Sequence, residues 1–151
     1  MSAAGDRAVR MADILGCWQL TRAFEDRGGV VRPNPLYGTS PNGFLHYLAG
    51  GRMAVAIPLG ERRRTISEDR RGATLEELAE SARTFDAYAG RFTLTGPDRI
   101  VHHVEVSTHQ NHVGTDLMRG IECHGDLLRL HVPPVEERGV TLSRWLDWRR
   151  V

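Results

Sequence analysis

The chain has 151 residues, with 20 basic and 19 acidic side chains, a formal charge of +1, and arginine at every basic position. This near-neutral balance removes any general electrostatic drive toward nucleic acid or a membrane surface, and the absence of lysine excludes Schiff-base chemistry at a lysine side chain. A chain of this length suits one domain that buries roughly two thirds of its unfolded surface without covalent staples.

Residues 1–12 read as a flexible polar lead to a single domain spanning 1–151. No apolar run reaches signal-peptide or transmembrane length, so the expected location is cytoplasmic. Asp13-Ile14-Leu15-Gly16 reads as one helical turn. It leads into a strand, Cys17 to Glu25, that carries Trp18, Leu20 and Phe24 on one face with Arg22 interrupting it. Asp26-Arg27-Gly28-Gly29 supplies a turn, Val30-Val31 a short return strand, and Pro33 and Pro35 end it. Asn42 to Ala49 and Arg52 to Pro58 form the next hairpin around Gly50-Gly51, with His46 between Phe44 and Leu48. Gly60 to Gly72 is Arg-rich and aperiodic, a surface loop and a candidate flap over an opening. Thr74 and Glu77 have capping-box spacing, and Leu75, Leu78, Ala82 and Phe85 recur at helical spacing, which predicts an amphipathic helix of three to four turns. Strands follow at about 89–95, 99–108, 115–123, 127–132 and 141–149, with a proline-rich loop before the last. Cys17 and Cys123 lie far apart and match no metal spacing, so two packed free thiols are expected.

The most informative stretch is Ile100 to Gly114. Alternation puts Ile100, His102, Val104 and Val106 on one face, and Val101, His103, Glu105, Ser107 and His109 on the other. The following strand repeats the motif, with Arg119 among Leu117, Ile121 and Cys123. A charged or titratable group on an otherwise apolar face is costly unless it is satisfied, so its presence needs a reason.

Eight or nine hairpin-linked antiparallel strands and one short amphipathic helix must hide their edges, which closure into a single up-and-down β-barrel achieves. A β-sandwich is the alternative. The fold class is therefore all-β.

Several segments together resemble the bacterial and fungal lipocalin-like domain family. They are Leu15-Gly16-Cys17-Trp18-Gln19-Leu20 with its Gly-x-Trp opening, Gly43-Phe44-Leu45-His46-Tyr47 followed by Gly51-Arg52-Met53, and Tyr88-Ala89-Gly90-Arg91-Phe92. His102 to Ser107 with Asn111 to Thr115, and the closing Trp148-Arg149-Arg150-Val151, complete the set. The resemblance implies a small barrel with a central cavity, most often a ligand binder and in some cases a cyclase or isomerase. It also implies that Trp18 packs against Arg149 or Arg150 as a structural closure. The sequence departs from the family pattern at His46, usually aliphatic, and at His112, often aromatic, which implies a more polar pocket.

If the apolar faces line the barrel, Arg22, His46, His102, Arg119 and Arg144 project inward. The leading reading is a barrel that binds a small apolar or amphipathic molecule, with Arg22, Phe44, His46, Tyr47 and Asn111 as ligand contacts. The alternative is a cofactor-independent cyclase or isomerase of natural-product biosynthesis, in which His102 exchanges protons and Arg119 stabilises an oxyanion. His103 and Glu105, about 6–7 Å apart on the other face, are the second choice for a catalytic pair. A non-enzymatic interaction module, with an exposed apolar patch and no cavity, is the third class. No cofactor, metal, nucleic acid or membrane partner is expected, and a homodimer is left open.

Overall fold

The computed structural model describes residues 7–151; the first half of the expected lead lies outside the described residues. A four-residue helix, α1 (Met11–Ile14), precedes nine strands: β1 (Gly16–Arg27), β2 (Val30–Pro33), β3 (Phe44–Tyr47), β4 (Arg52–Pro58), β5 (Phe85–Leu94), β6 (Arg99–Ser107), β7 (Asp116–His124), β8 (Leu127–Glu137) and β9 (Val140–Arg150). A second helix, α2 (Leu75–Arg83), stands between β4 and β5. Every pairing is antiparallel, and β1 hydrogen-bonds to β9, so β1 and β3 to β9 close an eight-stranded barrel. The lower part of β1 pairs with β3 and its upper part with β2, the one extra strand.

The lower end is a solid plug. Trp18, Leu20, Leu45, Tyr47, Ile100, Ile121, Leu128 and Trp148 pack there, with Ile14 of α1 closing it from below. Trp18 donates its indole N–H to the Ile14 carbonyl at 2.8 Å. The Arg150 guanidinium lies 4.2 Å from the Trp18 ring centroid and donates to the Leu15 and Asp13 carbonyls at 2.6 and 2.7 Å. Arg150, not Arg149, is thus the closing residue, and it satisfies carbonyls that α1 leaves free. The chain from Arg7 is not a free lead. Val9 donates to the Pro97 carbonyl at 2.8 Å and packs against the core.

Three register shifts decide which side chains face inward. In β1 the extra residue is Thr21: Leu20 pairs with Trp148, but Arg22 pairs with Asp147. A bulge of this kind reverses alternation beyond it. Ala23 and Glu25 therefore turn inward, Arg22 is exposed, and Phe24 faces outward to stack on Trp145 at 5.7 Å. In β6 the extra residue is Glu105, since Gly90 pairs with Val104 and Ala89 with Val106. Ile100, His102 and Val104 face inward, as the alternation predicts, whereas Val106 is 61 % exposed and Ser107 takes the inner position opposite Tyr88. Gly90 permits this kink, because a Cβ there would sit 1.9 Å from the His103 carbonyl oxygen. The third shift, between Val132 and Val135, absorbs Pro133 and Pro134. The expected proline-rich loop is therefore a bulged continuation of β8, at a place where the missing N–H is tolerated.

The helix also differs from expectation. It ends at Arg83, and Phe85 already belongs to β5. The capping box forms as the spacing predicts, with the Glu77 N–H on Thr74 Oγ1 at 3.2 Å and the Thr74 N–H on Glu77 Oε2 at 2.9 Å. Its polar side, however, faces the 60–72 loop, with Glu80 bound to Arg63 and Glu77 accepting from the Ile66 N–H. Leu75, at 86 %, and Ile66, at 94 %, are left exposed. Among the described residues, no helix is long and apolar enough to cross a membrane.

Candidate functional site

Above the plug the barrel changes character. His102, 1 % exposed, sits on the inner face of β6 between two tyrosines. The Tyr47 hydroxyl is 2.8 Å from His102 Nε2, and the Tyr88 hydroxyl is 2.9 Å from Nδ1. Burial, with Arg119 and His103 adding to it, depresses the His102 pKa to about 3, so the ring is neutral at ordinary pH. A neutral imidazole donates from one nitrogen and accepts at the other.

Accounting for the buried protons assigns the tautomer. Tyr47 is fully buried, and His102 is the one hydrogen-bond partner of its hydroxyl among the described residues. If Tyr47 accepted from His102, its own O–H would be stranded at a cost of about 1–3 kcal/mol. Tyr47 therefore donates to Nε2, Nδ1–H donates to Tyr88, and the Tyr88 O–H is left to point away from the ring. Desolvation raises the Tyr88 pKa to about 12, with Arg119 beside it acting in the opposite direction. Tyr47 is driven up chiefly by burial. Both phenols stay protonated.

Two arginines face the same space. Arg119 lies on β7 opposite Ile100, and Arg144 lies on β9 opposite Glu25 and Val132. Both are half-buried. Neither has a carboxylate within ion-pair distance among the described residues, although other arginines are paired: Arg32 with Glu25 at 2.6 Å, Arg129 with Asp147 at 2.6 Å, and Arg27 with Glu137 at 3.2 Å. Arg119 donates to the Met118 carbonyl at 2.8 Å, and the Nε of Arg144 is buried without a partner. Tyr37 covers this end from the loop after β2, where Asn34 caps a short 3-10 turn, Pro35–Tyr37, by accepting from the Leu36 N–H. Burial raises the Tyr37 pKa, and Asp86, Arg144 and Arg119 all act on it. Half-buried Leu117 and Leu146 complete the wall.

Of the residues expected on inward faces, His102, Arg119 and Arg144 do face inward, and Tyr47, expected only as a ligand contact, is buried against His102 with Arg119 nearby. The expected inward positions of Arg22, Phe44 and His46 are corrected. The Thr21 bulge turns Arg22 out, and in β3 it is Leu45 and Tyr47 that are buried while Phe44 and His46 lie on the outer face. His46 instead approaches Cys17 Sγ at 3.8 Å. Asn111 is exposed in the 3-10 turn Gln110–His112. His103 and Glu105 do not pair with each other. His103 bonds to Thr93 at 2.9 Å and Asp116 at 2.7 Å, while Glu105 bridges Arg52 and Arg91. Both are cross-strand links on the outer face. Tyr37, Asp86 and Tyr88 were not anticipated as site residues. Tyr37 sits in a loop without periodicity, but Asp86 and Tyr88 alternate with Phe92 along β5 and could have been found that way. Both cysteines are free, and among the described residues no group of three or more His, Cys, Asp or Glu side chains could hold a metal ion.

The sequence profile of the lipocalin-like domain matches residues 15–151, from the strand that opens the barrel to the one that closes it. The chain belongs to the lipocalin-like domain family. A curated relative is the 4'-hydroxy-3'-methoxypropiophenone carrier protein ppsC of Aspergillus oryzae (strain ATCC 42149 / RIB 40), 38 % identical over 88 residues, which cover 52 % of this chain and 78 % of that protein. In this lipocalin-like barrel the polar groups collect at one end of the interior, and Trp18 and Trp148 at the other.

Proposed function

We propose that this lipocalin-like protein binds and carries a small, largely apolar molecule with an oxygen-bearing end, held at the end of the barrel where Arg119 and Arg144 face inward. The observation that carries this reading is the pair of inward arginines without carboxylate partners. A buried or half-buried guanidinium left in that state costs stability, and a ligand that completes it offsets the cost. Similarity to a protein named as a carrier of an aryl ketone supports the same class of cargo. The Leu117 and Leu146 walls suit the apolar body of such a molecule, and the polar groups orient it.

The catalytic alternative draws no support from His102. A proton-exchanging imidazole works best with a pKa near the working pH. Here it is held at about 3, with both nitrogens engaged by tyrosines. Uptake of the neutral dye Nile red, and its displacement by hydroxylated aryl ketones, tests the carrier reading. Leu117→Trp, which adds bulk on the inner face beside Arg119, should abolish uptake without lowering the melting temperature. A protein that takes up neither dye nor ketone is not a carrier of this kind.

A further inference from the structure

The charges at the arginine-bearing end of the barrel bear on the ionisation state of the bound oxygen. Five charged side chains meet there. Glu25, only 6 % exposed, faces inward but spends its carboxylate on Arg32 at 2.6 Å. Asp86 faces inward opposite Ile57 from the far wall and makes no ion pair among the described residues. Arg32, Arg119 and Arg144 set against Glu25 and Asp86 leave one positive charge. The hydrogen-bond chain adds a direction, because Tyr47 donates to His102 and His102 to Tyr88, which leaves the Tyr88 O–H free to serve an outside acceptor. A guanidinium is planar and weakly hydrated, so it tolerates partial burial and pairs well with a delocalised anion.

We propose that the polar end of the bound molecule is a delocalised oxyanion on an apolar body, gripped by Arg119 and Arg144 and capped by the Tyr88 hydroxyl. The inference rests on the carrier reading and adds the ionised state and the residues that select it. Phenolates, enolates and aryl carboxylates share this chemistry. The uncompensated positive charge selects the ionised form over the neutral one, and Tyr37 shields the pair from water. His102 stays neutral throughout, so the selectivity comes from the two arginines and not from an imidazolium.

The test uses 4-nitrophenol, whose phenolate is coloured, with 4-nitroanisole as its non-ionisable ether and 4-nitrobenzoate as the carboxylate. With the full-length protein, the phenol should ionise at a pH at least about one unit lower when bound than when free, equivalent to a tenfold preference for the phenolate. The ether should bind at least tenfold more weakly. Arg119→Gln and Arg144→Gln should each reduce the preference several-fold, and the double variant should remove it, while His46→Ala on the outer wall changes nothing. Arg119→Met and Arg144→Met, checked by melting temperature, guard against loss of fold. Tighter binding of nitrobenzoate than of nitrophenolate identifies a carboxylate as the source of the oxyanion, and the reverse order identifies a phenolate. If phenol and ether bind equally well and the phenol's ionisation does not move, the oxyanion proposal is overturned while the carrier reading stands. A preference that survives in the double variant overturns the assignment to these residues. Should no probe bind, and Nile red not bind either, both readings fall.

Discussion

The two ends of the barrel are built from the same strands and solve opposite problems. At the lower end nearly every inward group is apolar, and Arg150 spends its donors on the Leu15 and Asp13 carbonyls. At the upper end the same strands present Tyr88, Arg119 and Arg144, and the buried Nε of Arg144 has no partner. The Trp148 indole nitrogen of the plug is also without a partner, but it is a neutral donor and its stranding costs far less than that of a cation. The contrast separates residues that hold the fold from residues whose cost needs an external partner to offset it.

Breaking the plug should give the largest effect. Trp18→Ala removes a fully buried indole, its bond to Ile14 and the ring beneath Arg150, and should cost about 3–5 kcal/mol in chemical denaturation. A milder Trp18→Phe keeps the ring and should cost less, which separates packing from the hydrogen bond. The boundary between the ends, at His102, can be probed by acid. In the unfolded chain the imidazole titrates at its ordinary value of 6.5, and in the barrel only at about 3. Between those values the unfolded state holds the extra proton, so stability falls as the pH is lowered through the window. At about 1.4 kcal/mol per unit, moving from pH 6.5 to 4.5 should cost roughly 2–3 kcal/mol. His102→Gln should flatten that part of the profile in urea titrations at several pH values.

The upper end should respond in the opposite sense. Arg144→Met replaces an unpaired, half-buried cation with an apolar chain of similar reach. It should leave stability within about 1 kcal/mol of the parent or raise it, while binding of nitrophenolate weakens. A loss comparable to that of Trp18→Ala would show that Arg144 belongs to the structural half. The smallest effects are expected outside. Arg22→Ala and His46→Ala should each change stability by no more than about 0.5 kcal/mol and leave dye uptake intact.

Much of this division could be read from the residues alone. Alternation through Ile100, His102 and Val104, and again through Leu117, Arg119 and Ile121, places an imidazole and a guanidinium on one wall, and the strand count implies closure. The misplacements of Arg22 and Val106 come from single-residue insertions. Thr21 and Glu105 each add one residue to a strand, and nothing in their chemistry announces it, yet everything beyond them changes sides. Phe44, His46 and Leu48 form an apolar-looking series around a histidine, and only pairing with β1 and β4 shows that Leu45 and Tyr47 are the buried set. Tyr37 could not be placed because its position depends on a loop folding across the opening. The orientation of α2 is hidden for a related reason. Helical spacing of Leu75 and Leu78 shows that they share a side, but not which neighbour that side meets.

Gly90 gives this dependence on register a molecular form. Because a methyl group there would collide with the His103 carbonyl oxygen, the kink that turns Ser107 in and Val106 out requires a bare Cα at one position of the neighbouring strand. A Gly90→Ala chain that straightened the strand would exchange an alcohol for an isopropyl group in the lining beside Tyr88. The polarity of the inner wall beside Tyr88 is thus governed by an atom the protein does without.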